Sequence, residues 1–459
     1  MILTMDEFRA YQPTRTTFAL FGHPIAHTMS PELHASLFSI SGQGCDYFAV
    51  DVPPEQLGEA MELAAQKCSG LNLTIPHKKA VFDHLDAVDE TARDLGSVNT
   101  VLFSGGEAIG YNTDILGFAG SLEFDHINPQ GKLAVVCGYG GVSRVMGYHL
   151  AAAGARLILT GRNLAKAKAL RNELRTLLPD KSIEIMPSTQ LPRATEIVVN
   201  GTPLGMYPHE DGCPLEKLPQ NTKYIFDAVY NPPCTAIMKL GGRDVTTRNG
   251  LLMLVLQAAY AQTIWLGTQF NNNSLNGVLR RLSGDMAKKR LHDVYGKSNI
   301  VLCGFMGSGK TTIGRKLARA LNCDFLDADQ YLEEREGKTI STIFDEVGET
   351  GFRDIETDCA RELAEKDGCV IALGGGAVLR PENVALYKKN GILIHLNTPF
   401  YRIVQNLSRD TTRPLLQGDK ENQTRILYQK RKPIYAAAAD RSVTGTRISE
   451  LVDAVFAAI

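Results

Sequence analysis

The sequence lacks the features that would point to a nucleic-acid-binding, membrane-bound or disulfide-stabilised protein. Its 49 basic residues nearly cancel its 50 acidic ones over 459 residues, so it carries no electrostatic footprint for nucleic acid and no polybasic membrane patch. Its nine cysteines form no CxxC pair and no Cys/His cluster at metal spacing, which argues against a disulfide framework and fits a reducing compartment. Small-molecule chemistry is the better expectation.

Long apolar runs and targeting signals are also missing. The most apolar long segment, Leu251 to Leu266, is interrupted by Gln257 and Gln262 and is too short and polar to span about 30 Å of hydrocarbon. It predicts a buried helix. The stretch MILTMDEFRAYQP has early acidic residues and no apolar signal-peptide core, from which we expect a cytoplasmic location.

Strand-like apolar runs repeatedly precede helical patterns, which predicts an α/β fold with parallel sheets. The chain is roughly three times the usual domain length of about 150 residues, so two or three domains are expected. We expect a substrate lobe at 1–117, completed by helices at about 250–285, and a dinucleotide-binding lobe at 118–249. A linker at 286–298 and a last domain at 299–459 follow.

A glycine-rich turn is the first candidate binding feature. The segment LAVVCGYGGVSR places Gly138, Gly140 and Gly141 at the end of a strand, where a pyrophosphate can approach a helix N-terminus. Ser143 stands where the GxGxxG fingerprint has its third glycine, so this signal alone also fits a turn without a ligand. After the next strand, Arg162 replaces the acidic residue that would bind the ribose of NAD, and a guanidinium favours the 2′-phosphate of NADP.

Seven ordered motifs extend this signal over roughly residues 17 to 270. They are GHPIAHTMSP at 22–31, NLTIPHK at 72–78, GSVNT at 96–100, GYNTDILGF at 110–118, NGTPLGM at 200–206, YNPPCT at 230–235 and NGLLMLVLQ at 249–257. In this order they resemble shikimate dehydrogenases, a family that reduces the ketone of 3-dehydroshikimate with NADPH.

The resemblance assigns roles to individual residues. A reversible ketone reduction needs a group that passes a proton to the developing alkoxide, and a lysine near a carboxylate suits this step. The family pattern implies that Lys78 is the catalytic lysine and Asp114 its partner. The side chains that it implies for substrate binding are Thr28, Ser30, Thr74, Asn99, Tyr230 and Gln257. For NADP it implies Arg162 and Lys166 as a clamp on the 2′-phosphate, together with Gly138, Gly140, Gly141, Thr202, Met206 and Gly250.

A phosphate-binding loop is the second candidate feature. GFMGSGKT at 304–311 follows a five-residue apolar strand and opens a helix, which is the context that a P-loop requires. Its amides would cradle nucleotide phosphates, Lys310 would reach the β and γ oxygens, and Thr311 would ligate magnesium. The residues expected at ATP are Gly304, Gly307, Ser308, Gly309, Lys310, Thr311 and Thr312. A P-loop alone leaves the acceptor open.

Five further motifs bear on the acceptor, and with the P-loop they resemble shikimate kinases from about residue 299 to 440. They are FLDAD at 325–329, FRDIE at 352–356, LGGGA at 373–377, TRPLL at 412–416 and RKPIY at 431–435. The resemblance implies that Asp329 contacts the attacking hydroxyl and that Asp327 lies near Mg²⁺. For the substrate carboxylate and ring it implies Arg353, Arg431, Gly374, Gly375 and Gly376. Arg413 would stabilise transferring charge from a lid, and Arg409 would contact the adenine.

The sequence thus predicts a two-lobed dehydrogenase, with an α/β substrate lobe and a Rossmann NADP lobe, followed by a P-loop kinase domain with a parallel sheet. With NADP, ATP and Mg²⁺, it would convert 3-dehydroshikimate to shikimate and then to shikimate 3-phosphate, in chorismate and aromatic amino acid biosynthesis. One alternative is a quinate/shikimate dehydrogenase that uses NAD and is fused to a kinase-like regulatory domain, because Thr28 replaces the family's usual serine. Another is a regulatory module in which one half binds its ligand without turnover. The sequence makes no prediction of oligomeric state.

Overall fold

The computed structural model describes residues 1–26, 28–242, 244–408 and 419–459. By their internal contacts they form two compact units, Met1–Leu279 and Arg280–Ile459. Across the described residues, no helix is both long and apolar enough to cross a membrane.

The first unit begins with a mixed sheet. Its strands are β1 (Ile2–Leu3), β2 (Thr17–Gly22), β3 (Asp46–Asp51), β4 (Gly70–Leu73), β5 (Ala87–Val88), β6 (Thr100–Ser104) and β7 (Glu107–Tyr111). Its helices are α1 (Met5–Ala10), α2 (Ser30–Ser41), α3 (Leu57–Lys67), α4 (His77–Ala80) and α5 (Glu90–Asp94). The strand order is β1-β3-β2-β4-β6-β7-β5. The pairs β4–β6 and β6–β7 are antiparallel, so β6 runs in the direction opposite to both of its neighbours.

A second, all-parallel sheet follows in the same unit. The strands are β8 (Leu133–Cys137), β9 (Arg156–Thr160), β10 (Ile183–Ile185), β11 (Ile197–Asn200), β12 (Tyr224–Asp227) and β13 (Thr246–Asn249), with helices α6 (Thr113–Phe124), α7 (Gly141–Ala152), α8 (Leu164–Leu177) and α9 (Ala236–Leu240). The order β10-β9-β8-β11-β12-β13 is the 3-2-1-4-5-6 order of a dinucleotide-binding Rossmann sheet. All five residues of β8 are buried, as expected for a strand covered on both faces.

Helix α10 (Leu251–Leu266) is the buried helix that the sequence predicts. It packs along α6, and the two backbones approach so closely that a β-carbon at Gly117 would lie 2.6 Å from Met253 O. Its end returns to the first sheet, where the Trp265 ring stacks on Phe18 at 4.5 Å and Trp265 Nε1 donates to Val101 O over 2.9 Å. One helix therefore packs against both lobes.

Helix α11 (Asn272–Tyr295) differs from the expectation of a linker at 286–298, because most of that range is helical. Leu282, Ala287 and Leu291 form an apolar stripe with at most 6% exposure. Ala287 and Leu291 belong to the core of the second unit. The neighbouring basic residues conceal this stripe in the sequence.

The second unit has a five-stranded parallel sheet in the order β15-β16-β14-β17-β18. The strands are β14 (Asn299–Cys303), β15 (Phe325–Asp327), β16 (Val370–Ala372), β17 (Gly391–Leu396) and β18 (Arg441–Val443). The helices are α12 (Lys310–Leu321), α13 (Ala328–Glu336), α14 (Ile340–Ala364), α15 (Pro381–Asn390), α16 (Phe400–Ser408), α17 (Asp419–Ala438) and α18 (Ile448–Ala458). The central strand β14 leads directly into the glycine-rich loop before α12, at the carboxyl edge of the sheet. The predicted fold class, two α/β lobes followed by a P-loop domain, is confirmed.

Candidate active sites

The centre of the first site is an ion pair between α4 and α6. Lys78 Nζ donates to Asp114 Oδ2 over 2.6 Å, and their side chains are 27% and 17% exposed. Asp114 lies in the first turn of α6, which begins where the Asn112 side chain accepts from Ile115 N over 3.2 Å. A carboxylate in this turn is favoured by the helix dipole. A lysine held beside it can exchange a proton with a bound ligand.

The side chains of Asn99 and Gln257 lie next to this ion pair. Asn99 Nδ2 donates to Asp114 Oδ1 over 2.9 Å and lies 3.5 Å from Gln257 Oε1. Asn99 Oδ1 accepts from Thr113 N over 2.7 Å. Gln257, which lies on α10, therefore reaches a cluster built from α4, the start of β6 and α6.

The remaining predicted substrate residues have separate contacts. Ser30 N donates to Thr28 Oγ1 over 3.2 Å at the start of α2. Thr74 N donates to Phe21 O over 2.9 Å. Tyr230 is half-buried, and burial raises the pKa of its phenol. Among the described residues, no hydrogen bond joins Thr74 or Tyr230 to the Lys78 cluster.

The glycine-rich turn of the second lobe leaves open space at the N-terminus of α7. Gly138 has φ 102°, a left-handed conformation that favours glycine. A β-carbon at Gly140 or Gly141 would meet no described atom within 4 Å. Ser143, which replaces the third glycine, is fully buried and its hydroxyl donates to Gly201 O over 3.2 Å. It thus serves as a packing residue beneath a turn with room for a phosphate.

Two basic side chains follow the next strand. Arg162 lies between β9 and α8, and Lys166 lies in the first turn of α8; both are exposed. The turn is capped by Asn163, whose side chain accepts from Lys166 N over 3.0 Å. Both cations therefore follow the carboxyl end of β9, which is paired in parallel with β8.

The other residues predicted at NADP lie after β11 and β13. Thr202 Oγ1 donates to Asn200 Oδ1 over 2.7 Å, and Met206 is 48% exposed. Gly250 packs so closely that a β-carbon there would lie 2.1 Å from Ala228 O, which is sufficient reason for glycine at this position.

Sequence reasoning missed a buried carboxylate beneath these loops. Asp227, at the end of β12, accepts from Asn200 Nδ2 over 2.9 Å and from Thr235 Oγ1 over 2.5 Å. Burial raises its pKa to about 6, against these hydrogen bonds. The three side chains tie the turns after β11 and β12 together.

The second site is built on the loop between β14 and α12. Gly309 has φ 93° and precedes Lys310, whose Nζ donates to Gly304 O over 2.9 Å and to Phe305 O over 3.2 Å. The Ser308 hydroxyl is buried and has no hydrogen-bond partner among the described residues. An orphaned hydroxyl in such a loop fits a bound phosphate oxygen.

Oxygen ligands suited to a divalent cation adjoin this loop. Thr311 Oγ1 donates to Asp327 Oδ2 over 2.7 Å, and Asp327 Oδ1 accepts from Asp329 N over 3.2 Å at the start of α13. A hydroxyl and a carboxylate are hard ligands of the kind that Mg²⁺ prefers. The predicted magnesium residues are therefore adjacent.

A cavity of about 760 Å³ lies over the loop. The predicted residues Gly307, Ser308, Gly309, Lys310, Thr311, Thr312, Asp327, Asp329 and Gly375 line it. Sequence reasoning missed other lining residues, including Lys316, Arg402, Asn406, Thr446 and Arg447. Asn406 also donates to Gly307 O over 2.8 Å. These residues belong to helices and loops that lack a distinctive motif.

The three-glycine turn after β16 brings the predicted acceptor residues together. A β-carbon at Gly374 would lie 2.4 Å from Asp329 Oδ1, and one at Gly376 would lie 2.3 Å from Arg353 Nη2. Both side chains therefore pack on this turn. Arg353 Nη1 donates to Glu356 Oε2 over 2.7 Å, and burial raises the pKa of Glu356 although Arg353 opposes the rise.

Tyr435 contacts the same turn and lies near Arg431. The buried Tyr435 hydroxyl donates to Gly375 O over 2.6 Å. Burial raises the pKa of Tyr435, and the nearby Arg431 cation opposes this rise. Sequence reasoning gave Tyr435 no role, although it closes the RKPIY motif. The remaining predicted residues, Arg409 and Arg413, lie outside the described residues.

Comparison with known proteins gives matches to both halves. A family model described as the shikimate dehydrogenase substrate binding domain matches residues 20–101, and one described as shikimate kinase matches residues 306–459. A shikimate dehydrogenase (NADP(+)) from Symbiobacterium thermophilum is 41% identical over 259 residues, which is 54% of this chain and 88% of the relative.

Solved structures agree for the first half. A shikimate dehydrogenase in complex with NADP+ has 33% identity and a TM-score of 0.54, covering 57% of this chain and 94% of its own. A shikimate 5-dehydrogenase from Thermus thermophilus, in complex with NADP(H) and shikimate, has 31% identity and a TM-score of 0.53, covering 58% and 99%. The chain therefore belongs to the shikimate dehydrogenase family, and a shikimate kinase domain follows in its second half.

Proposed function

We propose that this protein reduces 3-dehydroshikimate to shikimate with NADPH and then phosphorylates shikimate to shikimate 3-phosphate with ATP. The observation that carries the first half is the 2.6 Å contact between Lys78 Nζ and Asp114 Oδ2 beside Asn99. The two halves of the chain resemble enzymes that catalyse successive steps. The product of the first site would therefore be the substrate of the second.

In the reduction, bound NADPH supplies a hydride to the carbonyl carbon. Lys78 donates the proton that the carbonyl oxygen takes up as it becomes a hydroxyl. Asp114 holds the lysine by accepting from Nζ through Oδ2, while Asn99 occupies Oδ1. Gln257 and the hydroxyls of Thr28, Ser30 and Thr74 would orient the substrate ring.

Selectivity for NADP over NAD rests on Arg162 and Lys166. Both are exposed cations at the carboxyl edge of the second sheet, where they can form charge-assisted hydrogen bonds to a 2′-phosphate. The open space above Gly140 and Gly141 accommodates the pyrophosphate at the N-terminus of α7.

In the phosphorylation, bound ATP supplies the γ-phosphoryl group. Asp329 accepts the proton of the attacking hydroxyl, and Lys310 stabilises charge on the phosphate oxygens. Mg²⁺ would be held by Thr311 and Asp327, and it would neutralise phosphate charge. Arg353 and Arg431, which approach the same glycine turn, would bind the substrate carboxylate.

Product analysis tests the two steps separately. Purified full-length protein with 3-dehydroshikimate and NADPH is expected to form shikimate, and MgATP added afterwards is expected to convert it to shikimate 3-phosphate. Parallel reactions with quinate and with NAD(H) test the alternative specificity raised by Thr28. Preference for quinate and NAD would overturn the first assignment, and shikimate that persists with MgATP would overturn the second.

A further inference from the structure

Behind the Lys78 cluster, a buried amide is hydrogen-bonded on all sides. Asn72 is 6% exposed, and its Nδ2 donates to Asn99 O over 3.1 Å and to Thr100 Oγ1 over 3.0 Å. Its Oδ1 accepts from the Tyr47 hydroxyl over 2.8 Å. These contacts determine which end of the Asn72 amide faces Thr100.

Thr100 passes this orientation on to Asn99. A hydroxyl has one proton, and because Thr100 Oγ1 accepts from Asn72, that proton can go to Asn99 Oδ1 or to Thr113 Oγ1, each 3.1 Å away. Asn99 Oδ1 also accepts from Thr113 N over 2.7 Å. The Thr113 hydroxyl is a third donor, at 3.2 Å from Asn99 Oδ1. With its oxygen facing these donors, the amide presents Nδ2 to Asp114 Oδ1. The reversed amide would place an oxygen against the carboxylate.

The end of this chain of hydrogen bonds that is farthest from Asn99, at Tyr47, is anchored in the core. The His34 ring stacks on Tyr47 with centroids 4.0 Å apart and 7° between the planes. Gln262 Nε2, on α10, lies 3.2 Å from His34 Nδ1 and donates to His34 O over 3.2 Å. With Nδ1 as an acceptor for Gln262, the neutral ring carries its proton on Nε2.

We propose that Tyr47, Asn72 and Thr100 are positioning residues that fix the amide of Asn99, and through it Asp114, for proton transfer by Lys78. The inference rests on the proposed dehydrogenase function. Thr100 is 0% exposed and Asn72 is 6% exposed, so both act through Asn99 rather than on the substrate.

The test compares Thr100→Val with Thr100→Ser in the full-length protein. Valine keeps the shape and removes the hydroxyl, whereas serine keeps the hydroxyl. Because Thr113 N still holds Asn99 Oδ1, Thr100→Val is expected to lower kcat about five- to tenfold, the effect of one neutral hydrogen bond. KM for NADPH should be unchanged, the pH profile of kcat should shift, and Thr100→Ser should restore most of the rate.

Two controls separate positioning from folding. NADP binding shows that the first unit is folded, and the kinase rate of the same chain shows that the second unit is intact. If Thr100→Val fails to bind NADP, the variant Tyr47→Phe is used to test the positioning role instead, because it removes only the hydroxyl that donates to Asn72. A several-fold lower kcat is expected there as well.

The outcomes distinguish this inference from the proposed function. Wild-type kcat and an unchanged pH profile in a folded Thr100→Val variant, or in Tyr47→Phe where the former does not fold, would overturn the positioning role alone. A wild-type protein that does not reduce 3-dehydroshikimate would instead overturn the proposed function.

Discussion

Lys78 and Asp114 are separated by 36 positions in the sequence, yet their side chains lie 2.6 Å apart. The antiparallel return of β6 and β7 causes this approach. Val98 N donates to Lys78 O over 2.8 Å just before β6, and β7 leads directly into α6, which carries Asp114. The pair is thus set by backbone contacts on both sides, and it is available for exchange with a substrate.

Removal of the lysine amine should abolish most of the reduction. We expect Lys78→Ala to lower kcat for 3-dehydroshikimate about a hundredfold to ten-thousandfold, the usual contribution of a positioned acid or base. The exposed neighbour Lys79 provides a matched control, and Lys79→Ala should retain the wild-type rate. NADPH absorbance measures both. Full reductase activity in Lys78→Ala would refute the assigned role.

Arg162 should govern the choice of cofactor. Arg162→Ala is expected to raise KM for NADPH about tenfold to a hundredfold, because a hydrogen bond to a charged group is lost, while KM for NADH changes little. Lys168→Ala removes an exposed cation from α8, the helix that follows Arg162, and should leave both values unchanged. Equal effects of Arg162→Ala on the two cofactors would argue against a 2′-phosphate contact.

Asp329 should be needed for phosphorylation and not for reduction. Asp329→Asn keeps the size of the side chain and removes its capacity to accept the hydroxyl proton, so we expect about a hundredfold loss of shikimate-dependent ADP formation. The exposed Asp345 on α14 offers the control variant Asp345→Asn. Unchanged ADP formation in Asp329→Asn would be inconsistent with the proposed base.

The stability of the first unit should fall at acid pH because of His34. Burial lowers its pKa to about 3 from 6.5, so between these values the unfolded chain binds a proton that the folded chain does not. Stability therefore decreases as pH falls below about 6.5, by up to about 1.4 kcal/mol per pH unit for this group.

The measurement is urea unfolding at pH 7, 6 and 5, followed by fluorescence of Trp265, the single tryptophan, whose ring lies 5.5 Å from His34. The free energy of unfolding of His34→Gln should change less with pH than that of the wild type. His209→Gln, at an exposed position of the same unit, should show the same pH dependence as the wild type. An equal slope in wild type and His34→Gln would contradict the assignment.

Much of the fold could be predicted from apolar periodicity and turn residues. The strand after residue 132, the strand before the P-loop and the buried helix Leu251–Leu266 occur where the sequence predicts them. Most of the range 286–298, expected as a linker, is helical, and the sequence did not indicate this because the apolar stripe of Leu282, Ala287 and Leu291 is dispersed among charged residues. Burial of that stripe depends on the core of the second unit, which local sequence does not reveal.

The sites were less predictable than the fold. Motifs predict roles for Lys78, Asp114 and the P-loop, because the proposed chemistry fixes residue type and spacing. Tyr47, Asn72 and Thr100 meet only through the pairing of β3 with β2, β2 with β4 and β4 with β6, so nothing local marks them as a chain. Tyr435 and Asn406 likewise donate hydrogen bonds to backbone carbonyls of turns that are distant in the sequence.

The central claim is that one chain carries out both reactions in sequence. The most direct measurement follows NADPH loss and ADP formation together, with purified full-length protein, 3-dehydroshikimate, NADPH and MgATP. The account predicts NADPH loss followed by an equal amount of ADP, and NADPH loss without ADP in Asp329→Asn. NADPH loss without ADP in the wild type would contradict the kinase assignment and leave the second half as a binding or regulatory domain.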